Sequence, residues 1–194
     1  MIRPLLMTTA WLVLLTGGWP GQLTAAPASA DAALFSADGY RIDRYRSPTP
    51  QTAASARTIG PQELQALRRS APAPLVIDVI NLEFRAGRFL LTEPHASVPG
   101  AIWLPNTGKG DLDESWRDYL LDNVRARTAG RRDHPVVVLC KSDCWLSWNA
   151  TRRLAEAGYS QLYWLRDGID SWQNAGHPSV IIEPVPPQFT HDNN

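Results

Sequence analysis

Cys140 and Cys144 are the only cysteines of this 194-residue chain, and their spacing suits the chemistry of a thiol pair. In a tight loop or a first helical turn, residues four apart can bring their Cα atoms within the roughly 4.4–6.8 Å that a disulfide needs. A persulfide or sulfenate formed on Cys140 would then be attacked by Cys144, which leaves a disulfide and releases the outer atom. We therefore predict that both cysteines are catalytic, with Cys140 as the nucleophile and Cys144 as the resolving thiol.

Two other uses of the cysteine pair stay open at this point. A static disulfide would stiffen the loop without any turnover. Metal binding is a weaker alternative, because two thiolates without nearby paired histidines supply only half of a zinc shell. The residues thus predict neither a metal site nor a cofactor.

A buried strand and a helix are expected to position the two cysteines. The run Val136–Leu139 is short, apolar and rich in valine, which is typical of a strand in a parallel sheet. A helix follows and is predicted to continue from Trp148 to Ala157, ending at Gly158. Backbone N–H groups and the positive end of this helix are expected to converge on the Cys140 sulfur, where they would stabilise a thiolate or a bound anion.

The residues between and just after the cysteines form the predicted substrate-binding loop. Its members are Lys141, Ser142, Asp143, Trp145 and Leu146. Lys141 would favour a negative charge on sulfur, and the Asp143 carboxylate would oppose it. Trp145 is expected to line the pocket, although core packing is the default role for one of Trp145 and Trp148.

A long connection supplies two further candidates for binding an anion. Residues 81–97 exceed the usual length of a connection in an α/β domain, so they form either a functional flap or an embellishment. Arg85 and Arg88 lie in this connection and are predicted as possible anion contacts. Asp78 precedes the connection, at the end of a predicted strand, and its expected role is structural, as an acceptor for backbone N–H groups where the chain turns.

Predicted strands and helices alternate through residues 58–183, which indicates one α/β domain with a central, mainly parallel sheet and helices on both faces. The strands are predicted at Leu75–Ile80, Val136–Leu139 and Gln161–Leu165, and the helices at Pro61–Leu67, Asp113–Arg127 and Gly168–Ala175. Before the domain, residues 31–57 are expected to form an irregular N-terminal arm or a disordered leader. After it, residues 184–194 are expected to form a flexible tail.

The chain carries 19 Lys and Arg residues against 19 Asp and Glu residues, so its formal net charge is zero. This balance argues against a nucleic-acid partner, because such a partner needs clustered positive charge. Residues 1–30 have the pattern of a secretory signal peptide, with Arg3, an apolar run and Ala28-Ser29-Ala30 before the expected cleavage site. The apolar run is shorter than the roughly 20 residues that span a bilayer, so we expect no stable membrane span after cleavage.

Four landmarks in the second half of the chain resemble those of a rhodanese-like domain. They are Val98-Pro99-Gly100-Ala101, the strand ending in Cys140, Ala155-Glu156-Ala157-Gly158-Tyr159, and the stretch from Asp167 to Pro178. More narrowly, the arm from Gly39 to Pro50, Cys144-Trp145 and Trp148-Asn149 resemble the PQQ-dependent catabolism-associated CXXCW motif proteins. That resemblance implies a periplasmic protein associated with pyrroloquinoline quinone-dependent alcohol oxidation. A periplasmic PQQ-dependent dehydrogenase or its electron-transfer partner is then the expected partner.

The cysteine loop departs from the rhodanese-type sulfurtransferases that it resembles. Their loop after the nucleophilic cysteine usually contains Gly and Arg, whereas here Cys140 is followed by Lys141-Ser142-Asp143-Cys144. The departure favours persulfide or disulfide chemistry of the cysteine pair over single-cysteine transfer, and the missing Arg argues against a phosphatase. The alternative is a non-catalytic accessory or binding module for a quinone-dependent dehydrogenase, with a structural Cys140–Cys144 disulfide.

Overall fold

The computed structural model describes residues 34–53 and 56–189, and its centre is a sheet of five parallel strands. The strands are β1 (Arg57–Ile59), β2 (Leu75–Asp78), β6 (Ile102–Trp103), β7 (Val136–Leu139) and β8 (Leu162–Leu165). They lie in the order β1, β8, β7, β2, β6, so β7, the strand before Cys140, is the middle one. Val137 of β7 pairs with Val76 of β2 on one side and with Tyr163 of β8 on the other.

Within the described residues, four helices cover both faces of this sheet. They are α1 (Pro61–Leu67), α2 (Glu114–Arg127), α3 (Trp145–Glu156) and α4 (Gly168–Asn174). Val136 and Val138 pack against residues of α2 and α3, while Val137 and Leu139 pack against residues of α1 and α4. All four residues of β7 are buried, because alternate side chains of a strand enter the two cores in turn. The predicted α/β fold, with helices on both faces of a mainly parallel sheet, is confirmed.

The ends of the helices follow local sequence signals. The Asp113 side chain accepts a hydrogen bond from the backbone N–H of Trp116 and so caps α2, as expected from its position. Pro61 occupies the first turn of α1, and Glu63 accepts a hydrogen bond from the backbone N–H of Gly60.

The long connection from residue 81 to residue 97 is an embellishment of the sheet. It contains β3 (Phe84–Arg85) and β4 (Arg88–Phe89), which form a small hairpin, and β5 (His95–Ser97), which pairs with β9 (Val180–Ile182). The hairpin packs through Phe84, whose ring meets Trp116 of α2 and Phe189 at centroid distances of 5.2 and 5.6 Å.

The two ends of the described chain lie against the domain. Residues 34–53 run along α3 and the cysteine loop, and Arg57, expected at the end of the arm, begins β1. The tail, expected to be flexible, packs as far as Phe189: the Val185 N–H donates to the Trp103 carbonyl, and the Tyr119 hydroxyl donates to the Val185 carbonyl. Apolar and aromatic partners on α2 explain this packing. The predicted signal peptide, residues 1–30, lies outside the described residues.

Among the residues that the structure describes, no helix has both the length and the apolar character needed to cross a bilayer.

Candidate functional site

A disulfide joins Cys140, the residue after β7, to Cys144, the N-cap residue of α3. Their Cα atoms are 6.2 Å apart, so the prediction that the spacing allows a disulfide is confirmed. Both side chains are buried, at 2% and 1% exposure. The bond therefore lies at the carboxyl end of the central strand, where open α/β sheets usually place ligands.

The start of α4 holds the cysteine loop from one side. The Ile169 N–H donates to the Cys140 carbonyl at 2.9 Å, and the Ser142 hydroxyl donates to the Asp167 carbonyl at 3.0 Å. Gly168 is required at this junction, because its φ of +53° lies in the left-handed region and a Cβ would overlap the Cys140 carbonyl.

Two amides of the loop have partners other than sulfur. The Ser142 N–H donates to the Asp170 carboxylate at 2.9 Å, and the Trp145 N–H donates to the Tyr45 carbonyl at 2.9 Å. The expected convergence of loop N–H groups on the Cys140 sulfur therefore does not include these two groups. The disulfide also neutralises both sulfurs in this state, so no thiolate is present for the amides to stabilise.

The N-terminal arm crosses directly over the cysteine loop. Arg46 forms an antiparallel bridge with Cys144, and the Ser47 N–H donates to the Asp143 carbonyl at 3.0 Å. The Arg46 guanidinium also donates to the Ser142 carbonyl at 2.6 Å. The arm thus makes hydrogen bonds with Ser142 and Asp143 of the loop and, through the Tyr45 carbonyl, with Trp145 just after it.

A buried arginine and a buried asparagine hold the arm in this position. Arg41 is 6% exposed, and its guanidinium lies over the rings of Phe35 and Trp145, at 5.2 and 4.9 Å from their centroids. The Asn149 side chain accepts from the Arg41 N–H at 3.0 Å and donates to the Arg41 carbonyl at 2.8 Å. Since Asn149 belongs to α3, the helix after the cysteines also anchors the arm.

The arm and the sheet edge enclose a cleft of about 670 Å³ beside the disulfide. The arm contributes Arg44, Tyr45, Arg46 and Ser47. The other lining residues are Ile80 and Asn81 after β2, both cysteines, Lys141 and Leu146. The cleft is therefore cationic at its rim and apolar close to the sulfurs, and none of its lining residues is acidic.

Only two of the five residues predicted for the substrate-binding loop line the cleft. Lys141 and Leu146 line the cleft, whereas Ser142 and Asp143 lie in the loop without lining it. Trp145 does not line the cleft either: its ring packs edge-on against Phe35 and Trp148, at centroid distances of 5.4 Å in both cases. Trp145 is therefore a packing residue, in contact with the arm and with Trp148 of α3.

The predicted anion contacts are not part of the cleft. Arg85 and Arg88 are exposed and pair with each other in the β3–β4 hairpin. The arginines that do line the cleft, Arg44 and Arg46, come from the arm. In the sequence, these two arginines could have been found from the run of charged and aromatic residues between Gly39 and Arg46. This run stands out within a segment that is otherwise rich in Ala and Pro.

Tyr45, which lines the cleft, has a raised pKa. Burial raises the pKa of Tyr45, the hydrogen bond that its hydroxyl accepts from the Gly110 N–H at 3.0 Å lowers it in part, and the neighbouring Asp111 raises it further. The phenol is therefore neutral throughout the physiological range, and it contributes a hydrogen bond to the arm rather than a charge to the cleft.

Asp78 is completely buried at the end of β2, close to the disulfide in the sheet but outside the cleft. Its carboxylate accepts from the Ile80 N–H at 2.9 Å and from the Ser97 hydroxyl at 2.7 Å, and it lies 2.9 Å from the His95 ring nitrogen. These partners tie β2 to β5 where the chain turns.

Two further observations concern the described part of the chain. A second cavity, of about 810 Å³, lies between α2 and the tail, and it contains neither cysteine. No group of three or more His, Cys, Asp and Glu side chains within residues 34–53 and 56–189 is arranged to hold a metal ion.

Comparison with known proteins assigns the chain to a family. The sequence profile of the rhodanese-like domain matches residues 60–175. This range includes the disulfide, α4 and every strand of the parallel sheet other than β1. The chain belongs to the rhodanese-like domain family. No curated protein sequence matches the chain.

Several solved structures are similar to this chain at low identity. A polysulfide-sulfur transferase homodimer from Wolinella succinogenes is 18% identical, with 73% of this chain and 87% of that chain covered and a TM-score of 0.43. A rhodanese-like domain from Anabaena sp. is 20% identical, with coverages of 72% and 86% and a TM-score of 0.42. A thiosulfate sulfurtransferase from Pseudomonas aeruginosa is 20% identical, with 66% of this chain but only 21% of that chain covered and a TM-score of 0.46.

Proposed function

We propose that this protein is a periplasmic rhodanese-like thiol protein associated with PQQ-dependent alcohol oxidation, and that it works by persulfide or disulfide chemistry. Cys140 is the nucleophile and Cys144 the resolving thiol. The observation that carries the proposal is the Cys140–Cys144 disulfide in the wall of the cleft beside the central strand. A disulfide in that position is the oxidised state of a thiol pair that borders the cleft.

The different surroundings of the two sulfurs support the division of roles. Cys144 is the N-cap residue of α3, a helix of 12 residues, and its side chain makes no capping hydrogen bond. The positive end of a helix favours a thiolate, and a thiol that ionises readily is a good leaving group in thiol–disulfide exchange. An incoming thiolate is therefore expected to attack Cys140 and to displace Cys144, so the bond to an outside sulfur forms on Cys140.

The forward reaction balances without any additional oxidant. The Cys140 thiolate attacks the outer sulfur of an organic persulfide, RSSH, releases RSH and becomes a protein persulfide. Cys144 then attacks the Cys140 sulfur and displaces H₂S, which leaves the disulfide. Overall, the protein dithiol and RSSH give the protein disulfide, RSH and H₂S. An external dithiol must then reduce the pair, and it is itself oxidised to a disulfide.

The test is to trap the intermediate with single-cysteine variants. When reduced protein is treated with an organic persulfide, Cys144→Ser is expected to retain one extra sulfur atom on Cys140, as read by intact-mass spectrometry with and without a reductant. Cys140→Ser is expected to retain none, and the wild type is expected to form the disulfide. Equal sulfur loading of both variants, or none in Cys144→Ser, would contradict the assigned roles.

The cellular part of the proposal rests on the sequence. Residues 1–30 have the pattern of a signal peptide, and the arm and cysteine region resemble the PQQ-dependent catabolism-associated proteins. An oxidising compartment also suits a disulfide between the only two cysteines. Cell fractionation, with cleavage before Asp31 read by N-terminal mass spectrometry, tests the export. Loss of growth on alcohols, but not on sugars, after deletion of the gene tests the association with PQQ-dependent oxidation.

A non-catalytic accessory role is the second candidate, and the burial of both sulfurs under the arm favours it. In that role the protein docks a periplasmic PQQ-dependent dehydrogenase or its electron-transfer partner, and the disulfide only stiffens the loop. The candidates differ in one measurement. A Cys140→Ser/Cys144→Ser double variant restores growth on alcohols in the accessory role and fails to restore it in the catalytic one.

A further inference from the structure

The charged residues that line the cleft are all cationic. Arg44, Arg46 and Lys141 line it, and all three are exposed, so solvent or a ligand can reach them. Four neighbouring carboxylates do not line it. Asp43 accepts from the Arg44 N–H at 2.6 Å, Asp111 accepts from the Tyr45 hydroxyl at 3.4 Å, Asp170 accepts from the Ser142 N–H at 2.9 Å, and Asp143 lies exposed in the cysteine loop. A cleft rimmed by one sign of charge raises the local concentration of ligands of the opposite sign.

The positions of the two arginines are built into the fold. The buried Arg41 donates through its guanidinium to the Asp43 carbonyl at 2.7 Å and to the Ser47 hydroxyl at 3.1 Å, and the Ser47 hydroxyl donates to the Arg44 carbonyl at 2.8 Å. This network fixes the turn that carries Arg44 and Arg46. One Arg46 nitrogen is used on the Ser142 carbonyl, and a guanidinium has five N–H donors, so others remain for a ligand.

The size and lining of the cleft indicate an organic ligand. Its volume of about 670 Å³ falls within the range of sites for small organic molecules, roughly 300–1,000 Å³. An inorganic anion such as thiosulfate would fill only a small part of it. Ile80 and Leu146 add apolar surface close to the sulfurs, where the carbon skeleton of an organic ligand would lie.

We propose that Arg44, Arg46 and Lys141 select a low-molecular-weight organic persulfide or disulfide that carries carboxylates, in preference to inorganic thiosulfate or a cationic disulfide. This inference rests on the proposed thiol chemistry of Cys140 and Cys144. The carboxylates bind at the cationic rim while the sulfur–sulfur bond lies against Cys140. With a disulfide, RSSR, the reduced protein forms a mixed disulfide on Cys140 and releases RSH, and attack by Cys144 then releases the second RSH.

The test compares substrates of opposite charge on the reduced, full-length protein. Oxidised glutathione carries carboxylates, cystamine carries two amines, and thiosulfate is the inorganic comparison. The rate of Cys140–Cys144 disulfide formation is followed by quenching with an alkylating agent and mass spectrometry. Oxidised glutathione is expected to react at least about tenfold faster than cystamine at low ionic strength, and added salt is expected to narrow the difference.

Charge-reversal variants then assign the selectivity to residues. Lys141→Glu leaves all the hydrogen bonds of the arm in place. It is expected to slow the reaction with oxidised glutathione and to accelerate the reaction with cystamine. Arg44→Glu is expected to do the same. Arg69→Glu, an exposed arginine just after α1 and remote from the cleft, is the matched control and is expected to change neither rate.

Each outcome bears on a different proposal. Equal effects on both disulfides in Lys141→Glu and Arg44→Glu would overturn the charge selection but leave the thiol chemistry intact. Thiosulfate reacting as fast as oxidised glutathione would overturn the choice of an organic substrate. If none of the three probes oxidises the cysteine pair, the proposed thiol function itself fails.

Discussion

Arg46 and Cys144 face each other in an antiparallel bridge, with a backbone hydrogen bond on either side of the pair. The arm thus pairs with the cysteine loop as a strand would, over a single bridge. Both sulfurs are buried beneath the arm. Access to the disulfide therefore depends on how firmly the arm is held.

Asn149→Ala is expected to loosen the arm and to accelerate reduction of the disulfide. The substitution leaves the buried N–H and carbonyl of Arg41 without partners, at a cost of about 1–3 kcal/mol in stability. Reduction by a small dithiol, followed by alkylation and mass spectrometry, should be several-fold faster than in the wild type. Asn123→Ala on α2 is the control, because Asn123 bonds only within its own helix. Equal reduction rates in all three proteins would show that the arm does not restrict access.

Replacing both cysteines by serine is expected to lower the free energy of unfolding by only about 2 kcal/mol, because the bond closes a loop of five residues. Urea unfolding of the oxidised wild type and the double variant measures the difference. A much larger loss would mean that the disulfide is a main structural support, which favours the accessory role. Adding a reductant to the wild type should reproduce the loss without any substitution.

Gly168→Ala is expected to disturb the cysteine loop more than an ordinary glycine substitution. Its φ of +53° costs an alanine about 1–2 kcal/mol, and the new methyl group overlaps the Cys140 carbonyl, so the backbone must also shift. Gly176→Ala is a matched control, with a φ of +76° but no atom within 4 Å of the added Cβ. A larger drop in Tm for Gly168→Ala, together with slower sulfur loading of Cys140, is the expected result. Equal drops would show that the close approach has no effect of its own.

Acid is expected to weaken the attachment of the arm through Glu156. Burial alone would raise the pKa of Glu156, but hydrogen bonds from Tyr40 and Arg152 lower it below its ordinary value of 4.5. Because the folded pKa lies below the unfolded one, the stabilisation is fully present above pH 4.5 and is lost as the pH falls through the folded pKa. The protection factors of the Tyr40 and Ile42 amides, which correct for the slower intrinsic hydrogen exchange in acid, should therefore fall below pH 4.5.

Glu156→Gln removes the titrating group and should flatten this acid dependence while leaving the neutral-pH fold intact. Glu114→Gln, an exposed residue at the start of α2, serves as the comparison. An unchanged acid profile in Glu156→Gln would assign the effect to another carboxylate.

The local parts of this structure were readable from the sequence. The valine-rich apolar run Val136–Leu139 is typical of a strand in a parallel sheet that is covered on both faces, and Asp113 marks the start of α2 because its side chain satisfies a free N–H. The two cysteines were recognisable because four residues are a short enough separation for a disulfide.

Contacts between residues far apart in the chain could not be predicted from the sequence in this way. Nothing local in the arm indicates that Arg46 pairs with Cys144, since the pairing depends on Asn149 and on the aromatic rings around Arg41. Arg85 and Arg88 are candidates only because they lie in a long connection, and the hairpin within it pairs them with each other, so neither lines the cleft. Trp145 follows Cys144 in the sequence, which suggests a place in the pocket, but its ring packs against Phe35 of the arm and does not line the cleft.

The bond between Arg41 and Asn149 joins residues that are 108 apart in the chain. Closing so long a segment costs entropy, and the docking surface on α3 must exist before the arm can bind. We therefore expect the arm to dock after α3 has packed on the sheet. Until the arm docks, the cysteines are uncovered, and an oxidant can then form the disulfide without displacing the arm.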